Sequence, residues 1–153
     1  MRARLGFHLA QLDVRIPAEW VRADARVALG LPDDAPLRLD VLERALADDI
    51  GKLRVPDGHG IRAVEAVGRI RRVTFDGGAE SLFLSMTHGA EDMLAALLLA
   101  RIVGLDRPED GVSKIAIVPL FETLDDLDRA DGELRRAVAS KEYAAYLERR
   151  GRL

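Results

Sequence analysis

The chain contains no cysteine. That excludes disulfides and thiolate-bound metal, and it fits a reducing, cytoplasmic setting. Aromatic residues are scarce at 5%, so a platform of rings for stacking single-stranded bases is not expected. Neither sign of charge is in excess: 23 Lys and Arg stand against 26 Asp and Glu, for a formal net charge of −3. The chain therefore has no basic footprint for nucleic acid and no basic block for an anionic membrane. Long hydrophobic runs are missing too. The longest, "MLAALLLA" at 93–100, falls far short of the roughly 20 apolar residues that cross a bilayer. The opening "MRARLGFHLA" carries charge without a following apolar stretch, so a signal peptide is not expected. No nucleophile elbow, phosphate-cradling glycine loop or HExxH pattern occurs. His8, His59 and His88 share no metal-ligand spacing and read as solvated or hydrogen-bonded side chains.

What is present is ordinary globular material. The 153 residues are 48% hydrophobic and 32% charged, enough for one domain with a real core. In "HLAQLDVRI", residues 8–16, Leu12, Val14 and Ile16 share one parity while Gln11, Asp13 and Arg15 share the other. That alternation predicts a strand with one apolar face, ended by Pro17. Three helices are predicted next. One starts at Pro17 and stops at Gly30, one carries the stripe Leu39, Leu42, Leu46 and Ile50, and one carries Ile61, Val64, Val67 and Ile70. "SLFLSMT", 81–87, reads as a second strand, and 90–104 as a helix with acids in its first turn and Gly104 at its stop. "DRPEDG" reads as loop. "KIAIVPLFE", 114–122, is apolar on both parities, which predicts a third strand covered on both faces. Strand, helix and strand in this order make a βαβ unit. The remainder reads as short helical pieces: Thr123 with Asp126 three residues later has the capping-box form, and Asp131 and Ser140 are further N-cap candidates. The fold class is α/β, with three parallel strands, a large helical insertion and a mainly helical remainder. Three parallel strands leave edges and faces open, which points to membership of something larger.

In parallel α/β folds, ligands bind at the carboxyl ends of the strands. Those ends carry Asp13 and Arg15, then Ser85, Thr87 and His88, then Glu122. Arginine suits fixed recognition of phosphate or carboxylate, and a carboxylate with substrate oxygens is how Mg²⁺ is commonly held. Plainer readings stand beside these. Glu122 precedes a helix start and would be stabilised there by the helix dipole. Arg15 would pair with Asp13 or stand as an ordinary surface residue. Asp125 and Asp126 read as first-turn helix acids.

Three stretches then match one family in its own order and at about its spacing: "LDVR" at 12–15, "LSMTHGAEDMLAALLLAR" at 84–101 and "IVPLFETLDDLDRA" at 117–130. They resemble the central barrel segment of phosphoenolpyruvate carboxylase. "PLFETLDDL" is a specific motif, whereas "LDVR" alone is weak. The resemblance implies a partial (β/α)₈-type barrel, with residues 1–153 forming one segment whose strands lie near 8–16, 81–87 and 114–122. It implies a carbon–carbon lyase that joins bicarbonate to phosphoenolpyruvate, giving oxaloacetate and phosphate, with Mg²⁺ or Mn²⁺. Glu122 falls on the glutamate of the family's FET motif, a metal ligand. Arg15 falls on the arginine of its LD-[IV]-R motif, in the active site. Here Ile16–Pro17 replace the polar pair that usually follows that arginine. The family's catalytic histidine, second metal carboxylate, lysine, glycine-rich loop and further arginines have no counterpart in this stretch. The expectation is therefore an inactive fragment or one piece of a split enzyme, partnered by a complementing chain or by copies of itself. The alternatives are a non-catalytic remnant acting as a binding module, and a different barrel lyase with a similar strand end.

Overall fold

A computed structural model of the chain describes residues 13–73 and 79–151. Its elements run β1 (Asp13–Pro17), α1 (Ala18–Leu29), α2 (Leu39–Ala47), α3 (His59–Val73), β2 (Ser81–Ser85), α4 (Ala90–Ile102), β3 (Asp106–Arg107), β4 (Val112–Ser113), β5 (Ala116–Pro119), α5 (Leu124–Ala139) and α6 (Lys141–Arg149). Three parallel strands lie in the order β1–β2–β5. The rest of the described chain is mostly helix.

Helix α4 sits at the centre. Ala90 and every residue from Asp92 to Arg101 are buried. A helix that is apolar all round needs neighbours on all sides, and α4 packs against α1, α2, α3, α5 and β5. Leu82 and Leu84 of β2, with Ile16 of β1 and Ile117 of β5, turn into this core. The predicted stripes of α2 and α3 do the same: Leu42, Leu46, Ile61, Val64 and Val67 are buried, with Leu39, Ile50 and Ile70 packed at the edge. Between α1 and α3 the backbones come close. Ile61 N–H donates to the buried Asp24 carboxylate at 2.7 Å, and a Cβ at Gly60 would lie 2.7 Å from Trp20 O, so only glycine fits there.

Several expected boundaries move. Residues 8–12 of the first predicted strand, and His8 with them, lie outside the described residues. The second strand stops at Ser85 rather than 87, because Met86 takes the left-handed conformation (φ 54°). The third strand spans Ala116–Pro119 instead of 114–122. It is not covered on both faces: Ile117 is buried, but Ala116 and Val118 are only half-buried. Arg15, Phe83 and Val118 stand side by side on that open face. The second helix is shorter than its stripe, ending at Ala47 before a 3-10 turn at Ile50–Lys52. "DRPEDG" opens the small antiparallel β3–β4 pair, turned by Gly111 at φ 64°. The short helical pieces are in fact two helices, of 16 and 9 residues. Asp131 is therefore mid-helix and caps nothing. Thr123 and Ser140 do cap, accepting from Asp126 N–H and Tyr143 N–H.

The outer edge of β5 is closed from within. Ala116 N–H donates to Glu80 O at 2.6 Å and Leu120 N–H to Leu84 O at 2.9 Å, so the alternate groups of the strand point outward. There the buried Tyr146 hydroxyl of α6 accepts from Ile117 N–H at 2.8 Å and donates to Ile115 O at 3.1 Å. Pro119, next on the outward side, has no N–H to leave unpaired. Burial pushes the Tyr146 hydroxyl up to about 12, so it stays a neutral donor across the working pH range. Tyr146→Phe should orphan both backbone groups and destabilise the chain by about 1–3 kcal/mol, read as a lower urea midpoint at unchanged slope. An unchanged midpoint would show that the edge does not depend on this hydroxyl.

Candidate functional site

The three strands end side by side, and their carboxyl ends carry the polar residues singled out from the sequence. Arg15 leaves the edge strand β1 and Glu122 follows the opposite edge strand β5. They meet over the end of β2, where Arg15 Nη2 donates to Glu122 Oε1. The other carboxylate oxygen, Oε2, accepts Met86 N–H at 2.9 Å. The left-handed turn at Met86 aims that amide. Such a backbone costs a non-glycine residue energy and persists where surrounding contacts hold it.

The Glu122 carboxylate is turned towards Arg15 and the end of β2. A helix-start acid would serve the amides of α5. Instead, α5 is capped by Thr123, its first-turn acids are Asp125 and Asp126, and Glu122 turns back to the sheet. Arg15 likewise pairs with Glu122 rather than with Asp13. Both side chains keep contact with solvent, 58% exposed for Arg15 and 31% for Glu122. An ion pair this exposed contributes only about 0–1 kcal/mol to stability. The pair therefore adds little to folding stability.

A second tier of side chains fixes the loops that carry the site. Thr87 N–H donates to Leu120 O at 3.1 Å, and Thr87 Oγ1 donates to Leu84 O at 2.8 Å. Ser85 Oγ donates to Ile16 O at 3.2 Å. His88 N–H donates to Asp92 Oδ2 at 2.8 Å, and the other oxygen of Asp92 holds Arg22 at 2.8 Å. The His88 ring meets Asp126 with Nδ1 3.2 Å from Oδ1, so His88 is hydrogen-bonded, as expected. His59 lies far along the chain against the Trp20 ring, centroids 4.8 Å apart. Asp126 is more than the first-turn acid expected. It is buried, and it takes Thr123 Oγ1 at 2.6 Å and Arg129 Nη2 at 2.8 Å as well as His88. The Thr123 hydroxyl, the His88 hydrogen bond and the His88 charge hold its carboxyl below the usual value of 3.8, against the opposing effect of burial.

Sequence reasoning missed one of these groups. The Met86 amide left no signal, since "SMTHG" does not advertise a left-handed methionine. The capping-box pairing of Asp126 with Thr123 is present: Asp126 N–H donates to Thr123 Oγ1, and the Thr123 hydroxyl donates to the Asp126 carboxylate. Its further contacts with His88 and Arg129 left no signal.

Among the described residues no group of three or more His, Asp or Glu side chains is placed to hold a metal ion. Glu122 is a hard oxygen donor of the kind Mg²⁺ and Mn²⁺ prefer, open to solvent and beside a guanidinium that would attract an oxyanion. It fits a shared cation site, in which this segment supplies one ligand and substrate or further chain supplies the rest. No helix among the described residues is long and apolar enough to cross a membrane.

Comparison with known proteins follows the same stretches. The sequence profile of the phosphoenolpyruvate carboxylase family matches residues 55–153, a span that includes Glu122 and ends α5–α6. A phosphoenolpyruvate carboxylase of Thermus sp. (strain 71) is 38% identical over 165 aligned residues, covering 99% of this chain and 19% of that protein. That of Xanthomonas euvesicatoria pv. vesicatoria (strain 85-10) is 35% identical, covering 95% of this chain and 17% of the relative. That of Gloeobacter violaceus is 32% identical, covering 93% and 17%. The chain thus spans less than a fifth of the length of these relatives.

The Asp126 contacts predict a pH dependence. Because its folded carboxyl titrates below the unfolded value of 3.8, its contribution is whole above that value and lost as pH falls through the folded one. Urea unfolding of the parent chain should weaken below about pH 4 more steeply than that of Asp126→Asn. Equal slopes in the two proteins would remove Asp126 from the acid-sensitive contacts.

Proposed function

The chain belongs to the phosphoenolpyruvate carboxylase family, and on that premise we propose that it is one segment of a carboxylase site. In this reading β1, β2 and β5 are consecutive strands of a (β/α)₈-type barrel, with α4 the crossover helix between β2 and β5. The open face bearing Arg15, Phe83 and Val118 then lines the barrel interior. The reaction is the joining of bicarbonate to phosphoenolpyruvate, giving oxaloacetate and phosphate.

The observation that carries this reading is the meeting of Arg15 and Glu122 at the strand ends. Both substrates are anions, and the chemistry builds further negative charge on oxygen. Arg15 is the group that binds and orients such an oxyanion, through the planar fork of its guanidinium. Glu122 would hold Mg²⁺ or Mn²⁺, which when bound supplies a fixed positive charge for the developing negative one. The Met86 amide keeps the carboxylate pointed outward, and Asp126 and Asp92 hold the loops on either side.

One carboxylate and one arginine do not make a catalyst. The 153-residue chain by itself is proposed to be inactive, with the remaining groups supplied by a complementing chain or by further sequence. A second reading is a non-catalytic module that binds a partner. The half-buried apolar residues Phe83 and Val118 on the open sheet face favour it. Solution size separates the two: a monomer with one cooperative unfolding transition supports a self-sufficient module, while stability only in the presence of a partner supports a fragment.

The purified chain, given phosphoenolpyruvate, bicarbonate and Mg²⁺, should form no oxaloacetate in a coupled malate dehydrogenase assay. Turnover abolished by Arg15→Ala or Glu122→Ala would overturn the proposed incompleteness and establish a working site.

A further inference from the structure

Helix α5 joins the core along one side only. Asp126 and Ala137 are buried and Ala130 and Glu133 half-buried, on the side that meets α4 and α6. Roughly 100° further around the helix runs a second stripe: Leu124, Leu127, Asp131, Leu134 and Val138. The steps between them are three, four, three and four residues, the a/d repeat of a coiled-coil seam. The four apolar members are exposed, from 42% for Leu134 to 81% for Leu124. Among the described residues no element covers them. A contiguous apolar stripe with this spacing is a seam for another helix.

The charges beside the seam select which helix. Asp128 and Arg135 stand one heptad apart on the same flank of α5, and both are exposed. Asp128 makes no ion pair among the described residues. A second copy of α5 laid antiparallel places Leu127 opposite Val138 of the other copy and Asp131 opposite its Leu134, each layer occurring twice by symmetry. Asp128 of each copy then faces Arg135 of the other. A parallel pairing would stack Asp131 on Asp131 and bring no opposite charges together. Asp131 enters the seam already bonded to Arg135 Nε of its own helix at 2.9 Å, and one polar residue in a seam fixes its register at some cost in stability. We infer that α5 is a self-association surface, through which two copies of this chain pair antiparallel by Leu127, Leu134 and Val138 with reciprocal Asp128–Arg135 ion pairs. The inference goes beyond the carboxylase reading and uses none of its site residues. A contact of one helix on one helix falls in the small, transient class, below about 1,200 Å² of total buried surface. The dimer is therefore weak and depends on concentration.

The test is sedimentation velocity on the purified chain, from about 1 μM to about 1 mM. The proteins are the parent, Leu134→Gln, Asp128→Arg and Arg135→Asp, each checked for matching circular dichroism and urea midpoint. All three substituted positions are exposed, so the fold should survive each change. The parent should pass from monomer to dimer across the range. Leu134→Gln, which removes an apolar side chain from two layers, should weaken the dimer about ten-fold. Asp128→Arg and Arg135→Asp each set like charges opposite one another twice, and each should weaken it to a similar extent. An equimolar mixture of Asp128→Arg and Arg135→Asp restores both opposite-charge pairs and should dimerise about as well as the parent. A parent that stays monomeric throughout leaves the stripe to some other occupant and overturns the inference. Association that ignores Leu134→Gln lies on another surface and overturns it too. Loss with Leu134→Gln without recovery in the mixture rejects the antiparallel pairing.

Discussion

Burial of nearly the whole of α4, with every residue from Asp92 to Arg101 inside, is the constraint from which the rest follows. Thirteen residues with almost no polar face can exist in water only if other elements cover them on every side. The three-helix insertion, the sheet and α5 supply that cover. The charged residues at the two ends of α4 are then forced into defined contacts. Asp92, buried in the first turn, takes Arg22 and the His88 amide. Arg101, buried in the last turn, takes Asp106, Glu142 and Leu46 O. Each sign sits at the helix end where the dipole favours it. Neither charge could be buried without its partners.

The site inherits its geometry from those contacts. The loop between β2 and α4 is fixed at one end by the sheet and at the other by Asp92, so Met86 and His88 have little freedom. The same loop is tied to the start of α5 through His88 and Asp126. Glu122 thus sits between two anchored segments, with its carboxylate aimed by a backbone amide. Arg15, by contrast with the Met86 amide, reaches that carboxylate as a long side chain exposed to solvent.

The edges of the sheet are managed unequally. At β5, Tyr146 takes the outward N–H of Ile117 and Pro119 has none to offer, a common way to protect an edge from unwanted pairing. The face that carries Arg15, Phe83 and Val118 has no comparable cover among the described residues.

Local pattern alone determined much of this. Period-two alternation marked Asp13 to Ile16, the 3.6 period marked α2 and α3, first-turn acids and Gly104 marked α4, and Pro17, Gly30, Thr123 and Ser140 marked element ends, because these signals depend on neighbouring residues only. The words "LSMTHGAEDMLAALLLAR" and "PLFETLDDL" pointed to the family that the comparisons then established. The sequence could not show which partner Glu122 would choose. Its spacing served a helix start as well as a ligand, and Arg15 lies 107 residues away. Only the parallel register of β1, β2 and β5 places those two side chains over one strand end. Only the left-handed turn at Met86 directs an amide at the carboxylate. Contacts made across the sheet depend on how strands are ordered and where they stop, and that is decided when the core around α4 closes.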